Sequence, residues 1–190
     1  MNDPILAFTS KYIDLTDAET EALRTLNLIR SYDKGTVLLR EGARGSESYF
    51  VLEGVVRYYY VVDGAEKTTD FFVEGDVFEP SCVRDQAPSD HYISCVEDCI
   101  LSVSTPGMET DMMERFPRLE RVCRLVAEDA LRTTTDTLHD FKLLSPQQRY
   151  EHLSDARPDL IQRVPQYMIA SYLGIAPESL SRIRNRMATG

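Results

Sequence analysis

The hydrophobic pattern of this chain changes period at Thr105-Pro106-Gly107, and that change constrains the fold more than any other feature. Ahead of it, short runs rich in Val, Ile, Tyr, Phe and Thr are punctuated by Gly42, Gly54, Gly64 and Gly75, the pattern of half-buried strands separated by turns. Beyond it, Phe116, Leu119, Val122, Val126, Ala130, Thr133, Thr137 and Phe141 recur at helical spacing and form one stripe. Strands first and helices after predict an α+β chain. Its 190 residues suffice for one core domain and a small appended module without disulfides or metals.

The strand-like runs are 36–40, 48–53, 55–62, 67–73 and 91–103, a spacing that indicates a sandwich, barrel or roll. Asp63-Gly64 is the clearest turn and pairs 55–62 with 67–73, because a two-residue hairpin needs positive φ. Before the strands, Thr16 and Glu19 form a capping box that starts a helix over 17–29. The long stripe weakens to Ala and Thr in its middle and exceeds what the body can cover. A seam with a second copy, through Leu119, Val122, Val126, Ala130 and Thr133, is the economical way to bury it. Ser145-Pro146-x-Gln148 caps a new helix, so a domain boundary falls near Leu144.

The C-terminal segment carries the functional signal. Pro165 starts a short helix over 166–173, Gly174 breaks it, and Pro177 starts a last helix running to about 188; helix, glycine turn, helix is the helix-turn-helix pattern. The last helix presents Pro177, Glu178, Ser181, Arg182 and Asn185 near one face. Glutamate accepts from the cytosine amino group and arginine bridges two guanine acceptors, so Glu178 and Arg182, one turn apart, suit adjacent base pairs. Arg184 and Arg186 suit phosphates. Net charge is −10, which opposes nucleic-acid binding, but the charge is uneven. Residues 149–190 hold six arginines against four carboxylates, a net +2, which leaves −12 for the first 148. An acidic body with a cationic end suits a module that turns one edge toward DNA.

The segment VPQYMIASYLGIAPESLSRIRNRM resembles the recognition module of the cyclic AMP receptor protein and fumarate–nitrate regulator (Crp/Fnr) family, with Glu178 and Arg182 matching its E-x-x-x-R pair. The similarity extends upstream through Lys34-Gly35, Glu41-Gly42, Gly54-Val55-Val56-Arg57 and Glu74-Gly75-Asp76. It implies a cyclic-nucleotide-binding-like sensor domain (1–108) folded as an antiparallel β-roll, or double-stranded β-helix. A dimerisation helix (109–144) and an all-α helix-turn-helix DNA-binding domain (145–190) follow. The variant it most resembles is the short type common in Bacteroidetes, lacking a full wing. Implied partners are double-stranded DNA, a second copy, RNA polymerase and an unidentified small-molecule effector. The family's phosphate-binding pattern is broken here: Glu79-Pro80 replaces Gly-Glu, and Ser89-Asp90 stands where Arg-Ser would hold the phosphate. An aspartate there repels phosphate, so neither cyclic AMP nor cyclic GMP is expected, and no cofactor. Phe78, Glu79, Arg84, Ser89, Asp90 and His91 remain the candidate effector pocket.

Other classes fit poorly. A β-roll also resembles the cupins, whose metal enzymes need several converging histidines, whereas His91 is alone in the strand region. Nucleophile-elbow, P-loop and dinucleotide-binding motifs are absent, so no enzymatic activity is expected. The competing reading is a protein-interaction module that does not bind DNA. Cys82, Cys95, Cys99 and Cys123 fit no ligand spacing and read as small apolar residues in a reducing compartment, with Cys95 and Cys99 on one strand face. Without a leader-like N-terminus or a run of about 20 apolar residues, the expected location is the cytoplasm, with no membrane partner.

Overall fold

The computed structural model describes residues 3–26 and 28–189. Two short helices come first, α1 (Pro4–Thr9) and α2 (Asp17–Leu26). The capping box forms as read: Thr16 N donates to Glu19 Oε2 at 2.8 Å and Glu19 N to Thr16 Oγ1 at 3.3 Å. The expected extension of α2 to residue 29 does not occur. Leu28 and Ile29 instead begin strand β1 (Leu28–Tyr32), which pairs along its whole length with a later strand. Tertiary pairing outweighs the helical spacing of these two apolar residues.

Further strands follow: β2 (Val37–Leu39), β3 (Ser48–Glu53), β4 (Val56–Val62), β5 (Ala65–Phe72), β6 (Val77–Phe78), β7 (Tyr92–Cys95) and β8 (Cys99–Ser104). They form two antiparallel sheets in the orders β1-β8-β3-β6 and β2-β7-β4-β5. The run 91–103, read as one strand, is two strands in different sheets, broken at 96–98. Asp63 and Gly64 take φ of +52° and +75°, and Val62 pairs with Ala65, so the expected hairpin is present. Between the sheets lie Val51, Val56, Ile93, Leu101 and Val103, each at most 1% exposed. Among the described residues a small helix, α3 (Ser81–Asp85), interrupts the loop from β6 to β7.

Helix α4 (Pro106–Arg115) opens on Thr105, whose hydroxyl accepts from Met108 N, with Pro106 at the first helical position. Helix α5 (Leu119–Leu143) is about 38 Å long at 1.5 Å per residue. It does not include Phe116, which ends α4. Leu119 and Val122, expected in a seam with a second copy, are buried within the chain and line a small cavity with Thr9, Leu23, Met108 and Met112. From Val126 onward the helix stands off the roll across a cleft of about 480 Å³. Thr133, Thr134, Thr135 and Thr137 each return their hydroxyl to the carbonyl four residues back, so this polar stretch is satisfied within the helix.

Helices α6 (Pro146–Ala156), α7 (Pro158–Arg163), α8 (Gln166–Tyr172) and α9 (Pro177–Thr189) complete the order of elements. They share a core with the roll, in which Leu160, Ile169, Ala170, Leu180 and Ile183 pack with Val55, Phe71 and Val96. Polar contacts fasten the same junction. Ser171 Oγ accepts from Thr68 N at 2.9 Å and donates to Glu66 O at 3.1 Å, supplying the outer edge of β5 with the partners that another strand would give. Arg163 grips the Glu74 carboxylate with two N–H groups at 2.7 and 2.8 Å and donates to Glu97 through Nε at 3.0 Å.

Candidate nucleic-acid interface

The turn between α8 and α9 follows from Gly174, which takes φ +68°. The backbone conformation favours glycine there, and a Cβ would also lie 2.6 Å from Phe141 Cζ, so that the ring would have to shift. Ile175 N donates to Ala170 O at 2.9 Å and closes the turn. Leu180 (1% exposed) and Ile183 (4%) anchor α9 from beneath. With that face fixed, helical geometry turns Glu178, Ser181, Arg182 and Asn185 outward, and all four are exposed, as is Pro177 at the first turn. Arg184 and Arg186 lie on the two flanks of that face. Arg184 borders a groove with Tyr150, Ser154, Pro158 and Met187.

Not all of the C-terminal arginines belong to this surface. Arg163 is committed to Glu74 and Glu97, and its hydrogen bonds pull the Glu74 carboxyl down to about 2. Arg157 donates to Phe71 O at 3.3 Å. Arg149 donates to Leu144 O and Leu173 O and stacks 4.5 Å from the Phe141 ring. These three arginines therefore hold the module together and onto the roll. The outward cationic character of α9 comes from Arg182, Arg184 and Arg186.

The six expected effector residues lie on one stretch of chain, residues 78–91, and each has its own surroundings. Phe78 stacks on Tyr49 (5.0 Å) and meets Phe72 (4.7 Å) and Tyr58 (5.7 Å), and Tyr58 in turn stacks on His91 at 4.9 Å. Aromatic rings thus occupy the interior there. Ser89 is buried and bonds its own loop at His91 N and O. Asp90 accepts from His91 Nδ1 at 2.8 Å, which holds its carboxyl below the usual range. Arg84, expected to swing inward, is 82% exposed and pairs with Glu79 at 3.2 Å. Tyr58 Oη and His91 Nε2 are buried with no hydrogen-bond partner among the described residues.

A cavity that sequence reading misses is the cleft beside α5, lined by Phe8, Tyr12, Asp70, Asp76, Ala130 and Arg157 among others. Partial loss of its water shell to the surrounding protein pushes the Asp70 carboxyl up to about 6, with Arg157 acting against that rise. Nothing local in the strand 67–73 marks Asp70, since its environment is made by residues far away in sequence.

Residues 29–111 match the family model for the cyclic nucleotide-binding domain. No curated protein sequence matches the chain. Among solved structures, FixK2 from Bradyrhizobium japonicum is similar at a TM-score of 0.71 and 18% identity, over 86% of this chain and 85% of that one. CooA from Carboxydothermus hydrogenoformans, in a mutant form, is similar at 0.68 and 20% identity, over 94% and 88%. The c-di-GMP responsive global regulator CLP from Xanthomonas campestris is similar at 0.68 and 17% identity, over 92% of each chain. The antiparallel sheet core of a cyclic nucleotide-binding domain followed by helices is therefore the fold of this chain.

Proposed function

We propose that this chain is a cytoplasmic transcription regulator of the Crp/Fnr type, which binds a palindromic promoter site as a homodimer and meets RNA polymerase there. The observation that carries this reading is the outward face of α9, where Glu178, Ser181, Arg182 and Asn185 stand exposed on a buried apolar anchor. Early residues of a recognition helix read base edges, and two copies related by symmetry reach half-sites about 34 Å apart. Dimerisation is supported by α5, which leaves Leu131 68%, Leu138 50% and Leu143 79% exposed. The seam then runs through Val126, Ala130 and Thr133 with the neighbouring Leu131 and Leu138. The aromatic interior and Asp90 argue against cyclic nucleotides. The buried, unpaired Tyr58 Oη and His91 Nε2 favour a smaller polar effector.

Selection from random duplex DNA with the full chain tests this reading. A palindromic consensus supports it; an unenriched pool refutes it. The protein-interaction reading keeps one observation, a body of −12 that repels DNA. Light scattering is expected to give a dimer, and a Leu131→Glu/Leu138→Glu variant a folded monomer. A native monomer at micromolar concentration removes both the dimer and the two-half-site geometry.

A further inference from the structure

Three of the six methionines of the chain, Met108, Met112 and Met113, stand within six residues on α4. All three line one cavity of about 200 Å³, bounded on its other sides by Leu23 of α2 and by Leu119 and Val122 of α5. The polar groups on its wall are already engaged. Thr9 Oγ1 donates to Ile5 O at 2.8 Å, and Ser104 Oγ donates to Glu109 Oε1 at 2.7 Å, Glu109 being the carboxylate on this wall. A water held inside needs roughly two to four polar partners, and both hydroxyls have spent their protons elsewhere, so the cavity favours apolar contents. Cys123 lines the same cavity and is exposed, which marks a way in from solvent. The α4 side of the wall is adaptable. No residue of α4 is buried, and a helix without buried residues opens locally at low cost. Its thioether side chains, unbranched and polarizable, adjust to neighbours of different shape.

We infer that this cavity is a binding site for a small uncharged apolar molecule, the size of one aromatic ring, and that its occupant fastens α4 to the start of α5. Volume sets the class. A dry cavity of about 150 Å³ lined by apolar side chains takes benzene, so about 200 Å³ admits a single ring with about one or two further carbons. Such a ring meets the three methionines on one side and Leu119 and Val122 on the other, and so gives α4 the apolar contacts that it lacks alone. The site is lined by neither residues 78–91 nor α9, and it does not rest on the function proposed above.

The test follows the methionine methyl groups of the full chain, labelled with carbon-13 and assigned from single Met→Leu variants, during titration with benzene. The Met108, Met112 and Met113 signals are expected to shift along one saturable curve, while Met168 on α8 and Met187 on α9 stay in place. Hydrogen exchange of the α4 amides is expected to slow several-fold at saturation. The absence of a saturable shift, or equal shifts at Met168 and Met187, overturns the site. Saturation with α4 exchange unchanged overturns the fastening of α4. Position 112 is half-buried, so a lysine stem there can carry its charge to solvent, and Met112→Lys should fold and lose saturation at Met108 and Met113. Benzene binding in that variant as tight as in the native chain would overturn the assignment to this cavity. If Met112→Lys fails to fold, the methyl and exchange readouts on the native chain still decide. DNA binding enters neither readout, so its failure would sink the function proposed above and leave this site standing.

Discussion

The interior of the roll and the outer face of α9 are opposite solutions to placing polar residues. In the roll, His91 is 2% exposed and lies between Tyr58 and Tyr60, while Phe78 is 4% exposed among three other rings. On α9, Glu178, Arg182 and Asn185 face outward above an apolar base that is itself closed. The first arrangement uses its side chains for packing ring against ring. The second turns its side chains toward solvent. A chain built this way sets its outward polar groups on its last helix and fills its roll with packed rings.

Changes to each region test the contrast, and the largest effect is expected in the roll. Phe78→Ala should destabilise the protein by about 3–5 kcal/mol, because it removes a ring that touches Tyr49, Tyr58 and Phe72. Urea unfolding measures this, and a near-zero cost would mean that the interior is a pocket rather than a core. Arg182→Ala should leave stability unchanged and cost about 1–3 kcal/mol of DNA binding per half-site, with preference relaxed at one base pair. An unchanged consensus with uniformly weaker binding would reassign Arg182 to positioning. Arg184→Ala is expected to weaken all sequences alike and to reduce the salt slope by about one for each phosphate it no longer neutralises.

The smallest effect concerns Asp70 in the cleft. Its folded pKa of about 6 lies above the ordinary 3.8, so its charge opposes folding at neutral pH. That penalty fades as pH falls through 6 and is gone below 3.8, where both states are protonated. Asp70→Asn should raise the melting temperature slightly at about pH 7 and not at about pH 3.5. An equal rise at both values would show that the gain is not electrostatic.

What is legible in the sequence is what is written locally. The two capping boxes, the Asp63-Gly64 hairpin and the glycine turn before α9 each need only a few adjacent residues, and each forms. The face of α9 follows from helical period alone. Features set by distant partners escape such a reading. Leu28 and Ile29 join a sheet because β8 is beside them, and Leu119 and Val122 are buried where α5 shares a cavity lining with Met108 and Met112. The count of C-terminal arginines gives charge without direction. Only the fold assigns Arg163 to Glu74 and leaves Arg182 outside.

The double hydrogen bond of Ser171 with the edge of β5 has a consequence for solubility. An uncovered strand edge is a template on which other chains add strands. Here the cover belongs to a helix of the proposed DNA-reading segment, so any movement that carries α8 away bares Thr68 N and Glu66 O to neighbouring molecules. The strongly negative body then matters in a second way, because like-charged copies approach such an edge slowly. Acidity that repels polyanions thereby also guards the strand that is uncovered whenever α8 moves.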